Sequence, residues 1–236
     1  DRSASPPLRS LPRAFVPLPA DWHEGHPLAL PEEEAHKFHH VLRLAKGAQV
    51  ALLPGDGRVM RTLYQGRQVE FLSWETVSTE PARSLRVCLG LAKPEALEDS
   101  LRLATEIGAA EFVLFPSDRS VVKWEPEKWA KREERLRRII REAAEVAFRT
   151  KLPSIHRLDG LRAVLDRHPD AVVLSEVEGV PRPFRAGEAD TVVIGPEGGW
   201  APREVELISD RARTLGPRVM RVATAVAATC ALALAD

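Results

Sequence analysis

The sequence predicts an α/β protein in two parts, a small β-barrel followed by a domain built on a parallel sheet. Three observations carry this reading. From Arg13 to about Glu80, short β-type runs are punctuated by Gly and Pro; a polar, Pro-containing stretch, Thr79–Ser84, follows; strands then alternate with helices to the end. A length of 236 residues exceeds the usual domain size of about 100–150 residues, which favours two domains over one.

Residues 1–11 are rich in Pro, Ser and Arg and are expected to be an extension outside the core. Between residues 12 and 80, strands are expected at Ala14–Pro17, Pro27–Leu30, Gln49–Leu53, Arg58–Gln65 and Gln68–Val77, with one helix at Glu32–Leu44. The turn Pro54-Gly55-Asp56-Gly57 joins two of the strands as a hairpin. Strands this short cannot bury both faces as an open sheet, so a small barrel is expected.

In the second part, residues 84–236, strands are expected at Arg86–Leu91, Phe112–Phe115, Ser154–His156, Ala171–Leu174, Thr191–Ile194 and Arg218–Met220. Helices are expected at Pro94–Gly108, Pro126–Phe148, Leu161–His168 and Pro202–Arg213, with a small-residue helix from Ala223 onward. Leu97, Leu101, Ala104 and Ile107 recur at helical spacing on one face. Ala171–Leu174 and Thr191–Ile194 are continuous apolar runs, as strands covered on both faces require.

A hydrophobic fraction of 44% with 29% charged residues excludes a disordered or fibrous chain. The 34 basic and 34 acidic residues cancel, which disfavours a strongly basic nucleic-acid glove but leaves local patches open. Cys88 and Cys230 are far apart in apolar runs and suggest neither a disulfide nor a zinc site; a reducing, cytoplasmic setting is expected. The longest apolar stretch, Val222–Ala235, is 14 residues, too short to span a bilayer. No secretory signal pattern opens the chain, and no membrane partner is expected. His36 and His40 stand four apart, with His23 and His26 nearby, but no acidic or cysteine ligand pattern accompanies them, so no metal is expected.

The segment Val192-Val193-Ile194-Gly195-Pro196-Glu197-Gly198-Gly199-Trp200 runs from an apolar strand into a glycine-rich turn, and Ala201-Pro202-Arg203-Glu204 opens a helix. Ligands of parallel α/β sheets bind outside the carboxyl ends of strands, where glycines admit close backbone approach. The turn lacks both the Lys-Ser/Thr of a phosphate loop and the dinucleotide spacing. Gly216-Pro217-Arg218-Val219-Met220-Arg221 is expected to form a second strand exit beside the first.

Together these two turns resemble the SPOUT methyltransferases. Within that superfamily the chain is similar to the RsmE family, the small-subunit ribosomal RNA uridine-N3 methyltransferases. Four further stretches carry the likeness: His39-His40-Val41-Leu42-Arg43-Leu44 with Gly47, Ala104-Thr105-Glu106-Ile107-Gly108-Ala109, Asp118-Arg119-Ser120-Val121-Val122-Lys123, and Glu142-Ala143-Ala144-Glu145 followed by Arg149 and Pro153. The chain departs from the family where Ala223-Thr224-Ala225 replaces Glu-Thr-Ala and where Val146-Ala147-Phe148-Arg149 replaces Gln-Ser-Gly-Arg.

The resemblance implies a trefoil-knotted catalytic domain, a PUA-like RNA-binding barrel, a homodimer, and 16S rRNA or the small ribosomal subunit as partner. It implies that S-adenosylmethionine is held by Leu174, Ser175, Gly195, Pro196, Glu197, Gly198, Gly199, Val219, Met220, Arg221 and Thr224. Uridine N3 carries a proton, so the chemistry needs a cation near the uracil oxygens, for which Arg221 and Arg119 are candidates, and an acceptor, for which Glu197 is one. Glu197 is equally suited to capping a helix. Arg13, Arg43, Arg119, Lys123 and Arg149 are the expected RNA contacts. Between Asp118 and Lys151, eleven basic residues face seven acids; this suits phosphate contact, and equally a solvated helix of ion pairs. Two other functions remain compatible: a noncatalytic RNA-binding or ribosome-assembly protein that keeps the fold, and a SPOUT methyltransferase with another RNA target.

Overall fold

The structure, a computed structural model, describes residues 5–176, 179 and 182–235. It divides into two compact units: residues up to Glu80 together with Ala144–Leu152, and Pro81–Ala143 together with the residues from Pro153 onward. Residues 144–152, which the linear reading assigns to the second domain, thus group with the first unit.

In the first unit, β1 (Arg13–Phe15), β2 (Leu28–Ala29), β3 (Gln49–Leu53), β4 (Val59–Tyr64) and β5 (Gln68–Glu75) form one sheet in the order β1-β3-β4-β5-β2. β1 runs parallel to β3, and the other pairs are antiparallel. The sheet of the expected small barrel has β1 and β2 at its edges, which do not pair with each other among the described residues. Both faces of β3 are covered. Val50 and Leu52 join Phe38, Met60 and Tyr64 in one core, while Ala51 and Leu53 join Leu11, Phe15, Val59 and Phe148 in another. Leu11 and Leu8 belong to this packing, and Arg61 donates to the Pro6 carbonyl at 2.9 Å. The expected extension is therefore part of the fold from Pro6 on; residues 1–4 lie outside the described residues.

The expected helix at Glu32–Leu44 is a short α-helix, α1 (Glu32–His36), followed by a π turn, Lys37–Val41. Arg43 stands beyond it in the left-handed region at φ 52°. Phe148 is left-handed too, at φ 55°, which ends the preceding helix before the residue where the sequence pattern runs out. The strain of about 1–2 kcal/mol at such a residue is offset by burying the phenyl ring, which is 4% exposed.

In the second unit, β6 (Arg86–Gly90), β7 (Glu111–Phe115), β8 (Ser154–Arg157), β9 (Val172–Leu174), β10 (Thr191–Ile194) and β11 (Ala212–Arg213) form a wholly parallel sheet in the order β11-β9-β10-β6-β7-β8. Helices α2 (Pro94–Ile107), α3 (Pro126–Val146) and α6 (Val222–Ala233) contribute Leu97, Leu101, Leu136, Ile140 and Val226 to the core on one face. Helices α4 (Leu161–Arg167) and α5 (Pro202–Ile208) supply Leu161, Val164, Leu165 and Ile208 to the other. Burial pushes the thiols of Cys88 and Cys230 up to about 12, which leaves them inert as nucleophiles. No helix of the described residues is long and apolar enough to cross a membrane.

One strand expectation fails. The sequence places the last strand at Arg218–Met220, whereas it is Ala212–Arg213; the expected helix at Pro202–Arg213 ends at Ile208. Pro217 has no N–H for a ladder, and Val219 is 88% exposed with nothing to bury it. The tight turn instead forms at Gly216, φ 111°, where Thr214 Oγ1 accepts the Gly216 amide at 3.0 Å.

Gly108 ends α2 at φ 132°, and a Cβ there would stand 2.4 Å from Pro81 Cγ and 3.1 Å from Leu234 Cδ1. Gly108→Ala is expected to cost about 1–3 kcal/mol, read as a lower urea midpoint. An unchanged midpoint would show that Pro81 moves aside without cost.

Candidate functional site

The strand order reverses between β6 and β10, the place where open α/β sheets bind ligands. A cavity of about 200 Å³ lies at this edge, lined by the segments that follow β9, β10 and β11 and by Arg119. Leu174, Ser175, Gly195, Pro196, Glu197, Gly199 and Met220 of the expected residues line it. Gly198, Val219, Arg221 and Thr224 are not among the lining residues. Val219, Arg221 and Thr224 point to solvent, and Arg221 caps α6. Sequence reasoning missed Glu176, Ile194, Trp200, Leu215, Gly216, Arg218, Val222 and Ala225, which complete the lining. Trp200 had a usable signal, an indole directly after a Gly-Gly turn; the others carry none that separates them from core or surface.

In the turn Gly195–Trp200 almost every residue meets a different neighbour. A Cβ on Gly195 would lie 3.1 Å from the Trp200 indole. That indole stacks on Phe115 at 6.3 Å and donates its Nε1–H to the Leu174 carbonyl at 2.9 Å. Pro196 packs against the end of β6 so closely that a Cβ on Gly90 would stand 2.8 Å from Pro196 Cδ. Glu197 accepts the Lys93 amide at 3.0 Å, so its carboxylate caps α2, a helix distant in sequence. Gly198 faces the loop after β7: a Cβ there would meet Arg119 Cβ at 3.0 Å. This contact requires a residue without a side chain at position 198.

Two further ties fix the neighbouring segments. Glu176 Oε1 accepts the Met220 amide at 3.1 Å, joining the segment after β9 to the one before α6. Arg119 donates Nη1–H to the Gly198 carbonyl at 3.0 Å. Beside it, Arg203 on α5 donates Nε–H and Nη2–H to the two Asp118 oxygens. These hydrogen bonds hold the Asp118 carboxyl below the usual carboxylate range. Glu204, 2% exposed, accepts the Asp118 amide at 3.3 Å and the Ala201 amide at 3.1 Å.

The expected RNA contacts are dispersed. Arg43 and Lys123 are exposed. Arg13 stacks over the Phe148 ring at 4.3 Å and donates to the Arg9 carbonyl at 3.0 Å. Arg149 is 3% exposed and bonded through Nε and Nη2 to Glu80, the nearest contact 2.6 Å. Its guanidinium is engaged inside the first unit and is not presented to a ligand. Among the described residues no cluster of three His, Cys, Asp or Glu is arranged to hold a metal.

A parallel sheet covered on both faces, with a glycine-lined cavity at the reversal of strand order, is the architecture of a nucleotide- or cofactor-using α/β domain, and residues 79–234 match the RNA methyltransferase domain family. The chain is 30% identical to the ribosomal RNA small subunit methyltransferase E of Bacillus subtilis over 235 residues, covering 90% of this chain and 92% of the relative. It is 30% identical to that of Mycobacterium bovis, covering 79% and 78%. The chain belongs to the ribosomal RNA small subunit methyltransferase E family. Among solved structures, a methyltransferase of Legionella pneumophila in complex with S-adenosylmethionine superposes with a TM-score of 0.82 at 25% identity, covering 93% of this chain and 95% of that one. The Neisseria gonorrhoeae methyltransferase E bound to S-adenosylmethionine shares the fold, with a TM-score of 0.80 at 23% identity, covering 94% and 95%.

The capping role of Glu197 is directly testable. Glu197→Ala should cost about 1 kcal/mol of stability and speed hydrogen exchange at the first amides of α2. Unchanged exchange there would remove the cap.

Proposed function

We propose that this protein uses S-adenosylmethionine to methylate small-subunit ribosomal RNA, at ring N3 of a uridine. The observation that carries the reading is the glycine-lined cavity at the strand-order reversal, in a chain of this family. The cavity suits the donor. Leu215, Met220, Val222 and Ala225 give it an apolar wall, the glycines at 195 and 199 open backbone groups to a ligand, and Arg119 and Arg218 border it with positive charge. Leu174, Ser175, Gly195, Pro196, Gly199 and Met220 would hold S-adenosylmethionine, which supplies an electrophilic sulfonium methyl group.

The protein's own part is positioning and charge. Arg119, a guanidinium, stabilises the uracil anion through its carbonyl oxygens and so lowers the cost of losing the N3 proton. Glu197, its Oε1 held by the Lys93 amide, lines the same cavity and takes the proton in this reading. Arg221, exposed at the cap of α6, is available to RNA rather than to the cavity.

RNA would be held through local positive charge. On α3, Lys128, Lys131, Arg132, Arg135 and Arg138 follow the spacing i, i+3, i+4, i+7, i+10 and share one side of the helix. Glu98 and Glu142 neutralise Arg135 and Arg138. Lys128, Lys131 and Arg132 are exposed and make no ion pair with a carboxylate among the described residues. Arg43 in the first unit and Lys123 in the second are further RNA contacts in this reading. A PUA-like role for the first unit, a trefoil knot closed by α6, a homodimer and a cytoplasmic setting complete the proposal.

Incubation with tritiated S-adenosylmethionine and small-subunit rRNA, followed by mass spectrometry of the product nucleoside, should give N3-methyluridine. A 2′-O-methylated product would favour another target, and donor binding without transfer to any RNA would favour a noncatalytic assembly factor. Gly90→Ala should push Pro196 out of place and weaken donor affinity about tenfold, some 1.4 kcal/mol, by calorimetry; unaltered affinity would remove the β10 turn from the donor site. Replacing Lys128, Lys131 and Arg132 with Ala should lower the salt slope of RNA binding by about 0.7–0.9 for each phosphate that is no longer neutralised. A slope equal to that of the wild type would place the RNA elsewhere.

A further inference from the structure

Arg119 sits in a loop that its own bonds do not explain. The loop leaves β7, two strands from β10 in the sheet order, yet three ties lace it to the β10 turn and to α5: Arg203 to Asp118, the Asp118 amide to Glu204, and Arg119 to the Gly198 carbonyl. The loop is also rigid within itself. Ser117 and Ser120 are buried and reciprocally bonded, the Ser117 amide to Ser120 Oγ at 3.0 Å and the Ser120 amide to the Ser117 carbonyl at 3.1 Å. Burying a carboxylate such as Glu204 is costly unless its acceptors are used. Here Oε1 receives two backbone amides, one from each side of the gap between the loops.

We infer that Asp118, Arg203 and Glu204 are positioning residues that set the Arg119 guanidinium at the cavity and keep its charge unopposed. The second half of this assignment follows from electrostatics. Asp118 is the neighbour of Arg119 in sequence, and its carboxylate already feels Lys123. Bidentate pairing with Arg203 consumes both carboxylate oxygens. Without Arg203 the Asp118 carboxylate would be free to turn toward the guanidinium of its sequence neighbour Arg119 and compete with the uracil anion for it. Arg203 thus acts twice: it ties the loop to α5 and it screens Arg119 from Asp118. Glu204 acts through the backbone, fixing the Asp118 amide from which Arg119 projects.

The assignment rests on Arg119 being the cation of the methyl-transfer site, and the test separates the two. Methyl transfer from tritiated S-adenosylmethionine to small-subunit rRNA is measured for the wild type and for Arg203→Ala, Arg203→Lys, Asp118→Asn and the double variant Asp118→Asn/Arg203→Ala, with thermal midpoints alongside. Arg203→Ala should lower kcat by about 10- to 100-fold while the Kd for S-adenosylmethionine stays within about twofold. Arg203→Lys, which keeps the charge but not the fork, should fall between it and the wild type. Removing the released anion should help: the double variant should regain about tenfold over Arg203→Ala. A bridge that serves stability alone predicts the opposite, a double variant no faster than the single. That result, or wild-type kcat in a folded Arg203→Ala, overturns the inference. Full activity in Arg119→Ala, or no transfer by the wild type, instead overturns the reading on which it rests.

Discussion

The approach of the β10 turn to the end of β6 is the contact on which the rest of the site depends. Gly90 and Pro196 are so close that no side-chain carbon fits between them, and this seats the turn directly over the reversal of strand order. From that seat the residues reach different partners: Glu197 the amide of Lys93 just before α2, Gly198 the loop after β7, Trp200 the last carbonyl of β9. A turn tied in three directions has little freedom left to lose when a ligand arrives, which is what pre-organisation requires. The glycines here give proximity rather than flexibility, because only Gly199, at φ 66°, needs the left-handed region.

The charges are arranged by the same local logic. The cancellation of acids and bases in the sequence is realised as local pairing, much of it inside the two units. In the first unit Glu145 is 6% exposed and joins the Phe15 amide and the Lys37 ammonium, and Arg61, 8% exposed, is shared between Glu75, Gln49 and the Pro6 carbonyl. Such groups cost several kcal/mol to bury, so they fix geometry more than they add stability. The cations outside these ion pairs include Arg119 and Arg218 at the cavity, and Lys128, Lys131 and Arg132 on one side of α3. Net charge alone therefore says little about affinity for an anion; the placement of the cations left over from pairing decides it.

How much of this was legible in the sequence varies with physical cause. Strands β3, β6, β7 and β10 were legible to within about two residues because a strand covered on both faces must be apolar throughout. The helices α2 and α4 were legible from spacing and from the glycines beside them. The last strand was misplaced because two-residue β11 carries almost no pattern, while Arg218–Met220 mimics one across a Gly-Pro turn that cannot pair. The small barrel was expected from the need to cover a second face, and Leu11 and Phe148 help to cover that face. At the site, the turn Gly195–Gly199 announced itself by composition. What each residue does there did not, since the partners of Glu197, Gly198 and Arg119 are 79 to 104 positions away and spacing arguments reach only a few residues.

Those separations have a consequence for how the site forms. Leu174, Gly195, Leu215 and Arg119 come from four different segments, and every tie among them, Trp200 to Leu174, Glu176 to Met220, Arg119 to Gly198, closes a long loop of chain. The entropy of loop closure is lost before such contacts stabilise anything, so none of these ties can hold a fragment of the sheet together. The cavity is complete only when β9, β10 and β11 are in register beside β6 and the loop after β7 has docked on α5. A site assembled this way has no partially built form in which the cavity exists without Arg119 at its edge. Binding and charge placement are thereby set by one folding event, and a substitution at Gly90 or Arg203, neither of which lines the cavity, can reach both.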